Sequence, residues 1–330
     1  MLNLGIIGTN WITKQFVQAA LATKEYTLAG VYSRNIEKAQ AFGQEFGTGI
    51  QYFEDMAQFV NSEAIDIIYI ASPNSLHAPQ ALTVINADKH VIVEKPAAVN
   101  PTEMAAIQAA LVAHPKVYYF EAARQIHEPN FQTVTKTIQG FDHQDGAFLT
   151  YMKYSSRFDQ YLAGEEPNIF SAKFAGGALQ DLGVYLVYNA ISWFGVPEKV
   201  QYHPVFLRTG VDGRGTAILN YPDFEVTLNM GKNVQSTLAS EIYCGKQTLR
   251  IDNAGEFNEV TLTRAPDAAA ELLSEKPAAN PMIHEAQDFA TIIAQQDRQT
   301  FQKLNQLSVA VNQTMYNLRQ SAGFNLPADQ

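Results

Sequence analysis

Short apolar runs alternate with segments of helical spacing along the first third of the chain. The runs are LNLGII (2–7), TLAGVYS (27–33), IDIIYIA (65–71, preceded by the weaker QYF at 51–53), HVIVEK (90–95) and VYYFEA (117–122). Between them, 10–23, 35–46, 75–87 and 101–114 read as helices, the last entered through Asn100-Pro101, a capping residue followed by a proline suited to a first helical turn. Continuous apolar strands joined by crossover helices predict a parallel sheet covered on both faces. Residues 1–122 are therefore expected to form a doubly wound α/β nucleotide-binding domain of the Rossmann type.

From about residue 145 the period changes. GAFLTYMKYS, VQYHPVFLRTG, GTAILNY, FEVTLNMG, STLASEIYCG, QTLRID and NEVTLTRA alternate apolar and polar positions and predict a large, mostly antiparallel sheet. One helix near 177–194 and a pair near 281–320 complete an α+β domain expected over 123–330. In the final helix Leu304, Leu307, Val311, Met315 and Leu318 share one stripe, the mark of a face that packs on a core or a neighbouring subunit. There is no internal repeat and no low-complexity segment.

Composition narrows the function. With 330 residues and 46% hydrophobic content the chain can bury a large core divided between two domains. Its 33 acidic groups outweigh 23 basic ones, giving a formal charge of −10 without a basic run, which argues against a nucleic-acid partner and for a small-molecule one. Cys244 is the single cysteine, so neither an intrachain disulfide nor a thiolate metal cage can form. No His/Asp/Glu spacing resembles a metal site. The opening MLNLGII lacks a basic stretch, and no run reaches the roughly 18–20 apolar residues of a membrane span, so the expected location is the cytoplasm.

GIIGTNWITK, residues 5–14, falls where a strand gives way to a helix, the placement of a dinucleotide-binding turn. Against the pattern G-x-G-x-x-G/A only Gly8 matches; Asn10 and Thr13 replace the later small residues. Gly8 supplies the tight turn, and Asn10 is expected in the left-handed backbone that asparagine tolerates. Thr13 is expected to widen the helix–strand contact slightly. At the end of the second strand, where a carboxylate would bind a ribose 2′-hydroxyl, the chain has Ser33-Arg34 and no acid before Glu37. A hydroxyl and a planar cation suit a 2′-phosphate, so NADP is expected over NAD, with NAD possible.

Three further stretches, ASPNSLHAPQA (71–81), VIVEKPAAVN (91–100) and FAGGALQDLGVYLVYNAISWFG (174–195), together with GIIGTNWI, resemble the Gfo/Idh/MocA oxidoreductase family in the right order over nearly the whole chain. Tyr185, where the family often has histidine, resembles the branch of glucose-fructose oxidoreductase and dimeric dihydrodiol dehydrogenase. The resemblance implies an NAD(P)-dependent oxidoreductase of sugars, inositols, diols and related carbonyl compounds, assembled as a homodimer or homotetramer. It implies that Gly8, Thr9, Asn10, Trp11, Ile12, Ser33, Arg34, Ser72, Pro73, Asn74, His77, Glu94 and Lys95 line the cofactor. It also implies a cis bond before Pro96 that aims Lys95.

The chemistry follows from residue types. Hydride transfer at a carbon needs a matched proton transfer at its oxygen. Lys95 ends a buried strand at the crevice side of the sheet, where an ammonium is costly without a task or a partner. Its charge polarises a carbonyl and favours the phenolate of a neighbouring tyrosine, so that Tyr185 can exchange the proton near neutral pH. Asp181, one helical turn earlier, is expected to pair with Lys95 or to bind the substrate. Gly176-Gly177 let the backbone approach closely. The loop 155–175 adds Arg157, Phe158, Tyr161 and Lys173, a mix able to grip a hydroxylated or anionic ligand. The rival readings are a surface cation for Lys95, a core aromatic for Tyr185 and a helix-surface charge for Asp181. On those readings the protein is a non-catalytic nucleotide-binding sensor or a structural subunit.

Overall fold

The computed structural model describes residues 1–329. It divides into two compact units, the first formed by Met1–Arg124 with Ala278–Ser308 and the second by Gln125–Pro277 with the described residues from Val309 onward. The α/β and antiparallel patterns thus fall in separate units, but residues 278–308, expected with the C-terminal half, fold with the N-terminal one.

The first unit holds strands β1 (Leu2–Ile7), β2 (Tyr26–Tyr32), β3 (Gln51–Phe53), β4 (Ile67–Ile70), β5 (His90–Glu94) and β6 (Tyr119–Ala122). They form one parallel sheet in the order β3-β2-β1-β4-β5-β6. This is the doubly wound order of dinucleotide-binding domains, with the chain reversing direction of growth between β1 and β4. β4 and nearly all of β5 are buried, as a sheet covered on both faces requires. Its helices are α1 (Trp11–Ala22), α2 (Ile36–Gln44), α3 (Met56–Val60), α4 (His77–Ile85) and α5 (Pro101–Ala113). Asn10, Asn35, Asp55 and Asn100 each accept a backbone N–H at the start of their helix; the five-residue helix after Asp55 was not among those expected from the sequence.

The edge strand β6 explains the unexpected allegiance of residues 278–308. Phe120 stacks on Phe289 with ring centroids 4.4 Å apart, and the Arg298 guanidinium lies 3.7 Å over Tyr118 while donating to the carbonyls of Val117 and Lys116. Tyr26 donates to the carbonyl of Ala286 at 2.9 Å. Burying an aromatic ring of this size contributes about 1.5–3 kcal/mol, so this long-range apolar contact decides where the segment goes.

The second unit carries β7 (Gly146–Met152), β8 (Lys199–Phe206), β9 (Asp212–Asn220), β10 (Glu225–Gly231), β11 (Ser240–Cys244), β12 (Gln247–Ile251), β13 (Val260–Thr263) and β14 (Glu271–Leu272). The sheet order is β14-β13-β12-β11-β7-β10-β9-β8, antiparallel except for the parallel pair β7 and β10. The seven alternating segments all become strands; the eighth, β14, is two exposed residues and leaves no periodic trace. Helices α6 (Pro129–Gln139), α7 (Phe158–Leu162) and α8 (Val184–Phe194) belong to this unit, α9 (Ile283–Ala294) to the first, and α10 (Arg298–Ser321) gives residues to both. On α10, Val311, Met315 and Leu318 are buried, whereas Leu304 and Leu307 are half-buried.

Candidate active site

The sequence-predicted residues fall into two groups, one in each unit, and each group is built on the ends of its own elements. In the first unit a parallel sheet sends the carboxyl ends of its strands to one edge, so the segments after β1, β2, β4 and β5 gather there.

After β1, Gly8 has φ +102°, and a Cβ on it would lie 2.9 Å from the carbonyl oxygen of Ala71. Only glycine fits both the backbone and the approach to the end of β4. Asn10 departs from expectation: its backbone is extended (φ −92°, ψ 179°), not left-handed. Its carboxamide oxygen caps α1 by accepting the N–H groups of Ile12 and Thr13 at 3.0 and 3.2 Å, and its nitrogen donates to Ala71 O at 2.8 Å. A side chain thus replaces the second glycine by tying the turn to the next strand. Thr13 is fully buried, its hydroxyl toward Asn10 Oδ1, so it is absorbed in packing; Thr9 is half-buried and Trp11 is 71% exposed.

After β2, Ser33 Oγ accepts the N–H of Asn35 at 3.3 Å and Arg34 is exposed. The first acid, Glu37, lies inside the first turn of α2. The switch-point sheet order, the Gly8 turn leading into the positive end of α1 and the acid-free end of β2 all fit a nicotinamide dinucleotide.

After β4, Ser72 donates to Gln80 Oε1 at 2.7 Å, and Ser72, Pro73 and Asn74 are half-buried. His77 is 1% exposed, with Nδ1 2.8 Å from Pro96 O and Nε2 2.7 Å from Ser72 O. Both ring nitrogens therefore face backbone carbonyls, and a neutral ring donates to one of them. The geometry makes His77 a strut between the β4 and β5 loops. Burial holds its pKa below the ordinary value and the Lys95 charge adds to this, while the two carbonyls oppose it.

After β5, the Lys95-Pro96 bond is cis. The segment around it is fastened on both sides. Tyr69 donates to Glu94 Oε1 at 2.6 Å, and Ala97 N donates to Glu121 Oε1 at 3.0 Å; Ser308 donates to the other oxygen of Glu121. Val99 N donates to Glu103 Oε2 at 2.8 Å. Lys95 is half-buried at the centre of these contacts. Burial pushes the Glu94 pKa upward, opposed by Lys95, Tyr69 and Arg124. Glu121 was missed in the sequence, where it reads as one polar position in an apolar strand.

In the second unit, Asp181 lies in a π-helical turn (Leu179–Gly183) that runs directly into α8, where Tyr185 is the second residue. Such single wide turns recur at functional sites. Gly177 has φ +124°, and a Cβ there would stand 2.1 Å from Asp212 Oδ1; one on Gly176 would be 2.6 Å from the backbone of Ile169. The two glycines thus admit protein atoms. Asp212 opens β9, is fully buried, and accepts the N–H of Leu179 at 2.7 Å and the hydroxyl of Tyr202. Burial raises its pKa; those two donors and the N–H of Ala178 pull it down. Asp212 thereby caps the helix that carries Asp181 and Tyr185, a role invisible in the sequence because 33 or so residues separate cap and helix.

Asp181 forms an ion pair with Lys232, which follows β10 and which sequence reading also missed. Tyr185 is half-buried and meets the ring of Tyr151 edge-on, centroids 5.5 Å apart at 89°. Of the loop residues, Arg157 is exposed, but Phe158 is buried against Tyr161 and Phe170 in a small aromatic core, which withdraws it from the expected ligand contact. Lys173 is exposed, 5.6 Å over the ring of Phe174.

These features match known proteins from end to end. Residues 2–122 match the oxidoreductase family with an NAD-binding Rossmann fold, and residues 143–250 match the GFO/IDH/MocA C-terminal domain. The chain is 34% identical over 330 residues to the scyllo-inositol 2-dehydrogenase (NADP(+)) IolU of Bacillus subtilis (strain 168), covering 100% of both chains. It is 38% identical over 293 residues to the uncharacterized oxidoreductase YgjR of Escherichia coli (strain K12), covering 89% of this chain and 88% of the relative. Among solved structures, the 3-ketoreductase KijD10 of Actinomadura kijaniata, in complex with NADP and TDP-benzene, superimposes with a TM-score of 0.85 over 97% of each chain at 20% identity, a likeness of fold. The chain belongs to the GFO/IDH/MocA oxidoreductase family. It is an NAD(P)-dependent oxidoreductase acting on CH–OH or C=O groups. Among the described residues no helix is long and apolar enough to cross a membrane, and no group of His, Cys, Asp and Glu is arranged to hold a metal ion.

Proposed function

We propose that this enzyme interconverts a hydroxyl and a carbonyl on a polyol, sugar or vicinal diol with NADP in preference to NAD. The observation that carries the reading is the full-length likeness to an NADP-dependent inositol dehydrogenase. Ser33-Arg34 at the end of β2 supports the cofactor choice, since a guanidinium meets a 2′-phosphate with a planar, charge-assisted fork. Gly8, Thr9, Asn10, Trp11 and Ile12 would hold the pyrophosphate, and Ser72, Pro73, Asn74, Glu94 and Lys95 the nicotinamide end. When bound, the nicotinamide supplies the hydride chemistry.

The proton is handled by Lys95 and Tyr185. Lys95, its segment fastened by His77 and Glu121, polarises the substrate oxygen, and the Tyr185 hydroxyl gives or takes the proton. Asp181 accepts a hydrogen bond from a second substrate hydroxyl, and Arg157 offers a cation at the rim of the same unit. A panel of inositols, sugars and diols with both cofactors, followed at the absorbance of the reduced ring, tests the reading. Turnover confined to NAD, or absent with every polyhydroxylated compound, overturns it.

Assembly belongs to the same proposal. Along β9 residues alternate between buried and half-buried, so one face of the second sheet packs inside while Thr216 and Ile218 look outward. The neighbouring β8 exposes Val205 and Phe206 at 44% and 49%. We infer a homodimer, or a tetramer of dimers, closed over this face.

A further inference from the structure

The geometry points to Lys232 as a positioning residue that fixes Asp181 as the acceptor for a substrate hydroxyl next to the reacting carbon, an inference that rests on the polyol reading above. Lys232 emerges one residue beyond β10, and its side chain is 5% exposed against 15% for that of Asp181. Its ammonium pairs with Asp181 Oδ2, donates to Ile169 O at 3.2 Å and lies 4.9 Å from the ring centroid of Phe170. Its backbone is anchored as well: the N–H donates to Gly213 O and the carbonyl accepts from Ser155, both at 2.8 Å. Ile169 O also accepts the N–H of Gly177 at 3.1 Å, directly before the π turn. One ammonium therefore joins the end of β10, the 168–170 turn and the turn that carries Asp181.

Electrostatics gives this junction its sense. An ammonium taken this far out of water is costly unless a charge and hydrogen bonds compensate it, so Lys232 requires Asp181 as a carboxylate. An ionised carboxylate only accepts hydrogen bonds, at about four lone-pair positions over two oxygens. Lys232 engages Oδ2, and the more open member of the pair is Asp181. A substrate hydroxyl adds a charge-assisted hydrogen bond to such an acceptor, and an analogue lacking the hydroxyl forgoes it. Sites built to bond a hydroxyl reject the deoxy analogue strongly for that reason. The class selected is a polyol with a free hydroxyl beside the oxidised carbon.

The test uses the full-length enzyme with NADP, scyllo-inositol and a deoxyinositol lacking the neighbouring hydroxyl, comparing wild type, Lys232→Met, Lys232→Arg, Asp181→Asn and the Lys232→Met/Asp181→Asn double variant. Lys232→Met should raise KM for scyllo-inositol roughly ten- to hundred-fold, the loss expected for a charge-assisted hydrogen bond, and change kcat less. Its effect on the deoxyinositol should be several-fold smaller, Lys232→Arg should recover most of the loss, and the double variant should be no worse than Asp181→Asn. Equal losses on both substrates, no recovery by arginine, or additive losses would overturn the inference. Unfolding midpoints of the same variants supply a readout independent of turnover. A double variant no less stable than the worse single one supports the coupling, and additive shifts sink it. Should no wild-type turnover occur with any polyol while the unfolding cycle still shows coupling, the polyol reading fails, and the substrate half of this inference fails with it.

Discussion

The carboxamide nitrogen of Asn10 donates to the carbonyl oxygen of Ala71 at 2.8 Å, the same oxygen that a side chain on Gly8 would strike. Two residues of the first turn are thus fitted to one atom at the end of β4, and the cap that Asn10 places on α1 depends on the same side chain. Asn10→Ala should remove both the link and the cap, lowering stability toward urea by about 1–2 kcal/mol and weakening NADP binding. Unchanged values in both titrations would show that the turn holds its shape without Asn10.

The proposed preference for NADP rests on Arg34. Arg34→Ala should weaken NADP roughly ten- to hundred-fold, as expected for a lost charge-assisted contact, and leave NAD within about two-fold. Equilibrium binding with both cofactors decides this, and an equal loss for both would take Arg34 out of the 2′-phosphate site.

Proton handling predicts a kinetic pattern. Tyr185→Phe should lower kcat about 10²–10⁴-fold with the fold and NADP affinity retained, the range of general acid–base catalysis. Lys95→Met should cost a similar factor and the double variant little more if, as proposed, the two act on one proton. Near-normal turnover in both single variants would favour the sensor reading of this fold.

The fastening of Lys95 has its own test. Glu121→Ala leaves the N–H of Ala97 and the hydroxyl of Ser308 without their carboxylate, and should cost about 1–3 kcal/mol of stability together with a drop in kcat. A variant that loses stability and keeps full kcat would assign Glu121 to folding alone.

Acid sensitivity of the first unit should pass through His90. Its Nδ1 accepts the N–H of Tyr118 at 3.2 Å, and burial, reinforced by Arg298, pushes its pKa down to about 4. The folded chain keeps this ring neutral over the window from its ordinary value near 6.5 down to about 4, whereas the unfolded chain protonates it there. The stabilisation is complete above that window, fades as pH falls through it, and has a ceiling of about 3 kcal/mol. Between pH 7 and 4.5, urea unfolding should show a smaller loss for His90→Gln than for wild type. Parallel pH profiles for the two proteins would contradict the assignment.

The sequence by itself determined the two sheets, since continuous apolar runs between capped helices permit little except a covered parallel sheet, and two-residue alternation permits little except a half-exposed antiparallel one. It also carried Gly8, the acid-free end of β2, and the stretches around Lys95 and Tyr185, because backbone conformation and local motif leave marks in adjacent residues. Tertiary structure alone decided that residues 278–308 cover β6, through Phe289 and Arg298. It alone decided that Phe158 is core, that His77 spans two loops, and that Asn10 is a cap in extended backbone. It likewise supplied Asp181 with Lys232, Ala97 with Glu121, and the helix of Tyr185 with Asp212. The apolar contacts of Phe158 and Phe289 join rings brought together only by the fold, and the long-range polar pairs share one physical reason. A buried polar group must find its partner wherever the fold brings one within about 3 Å, and no periodicity in the chain encodes a partner that far away along it.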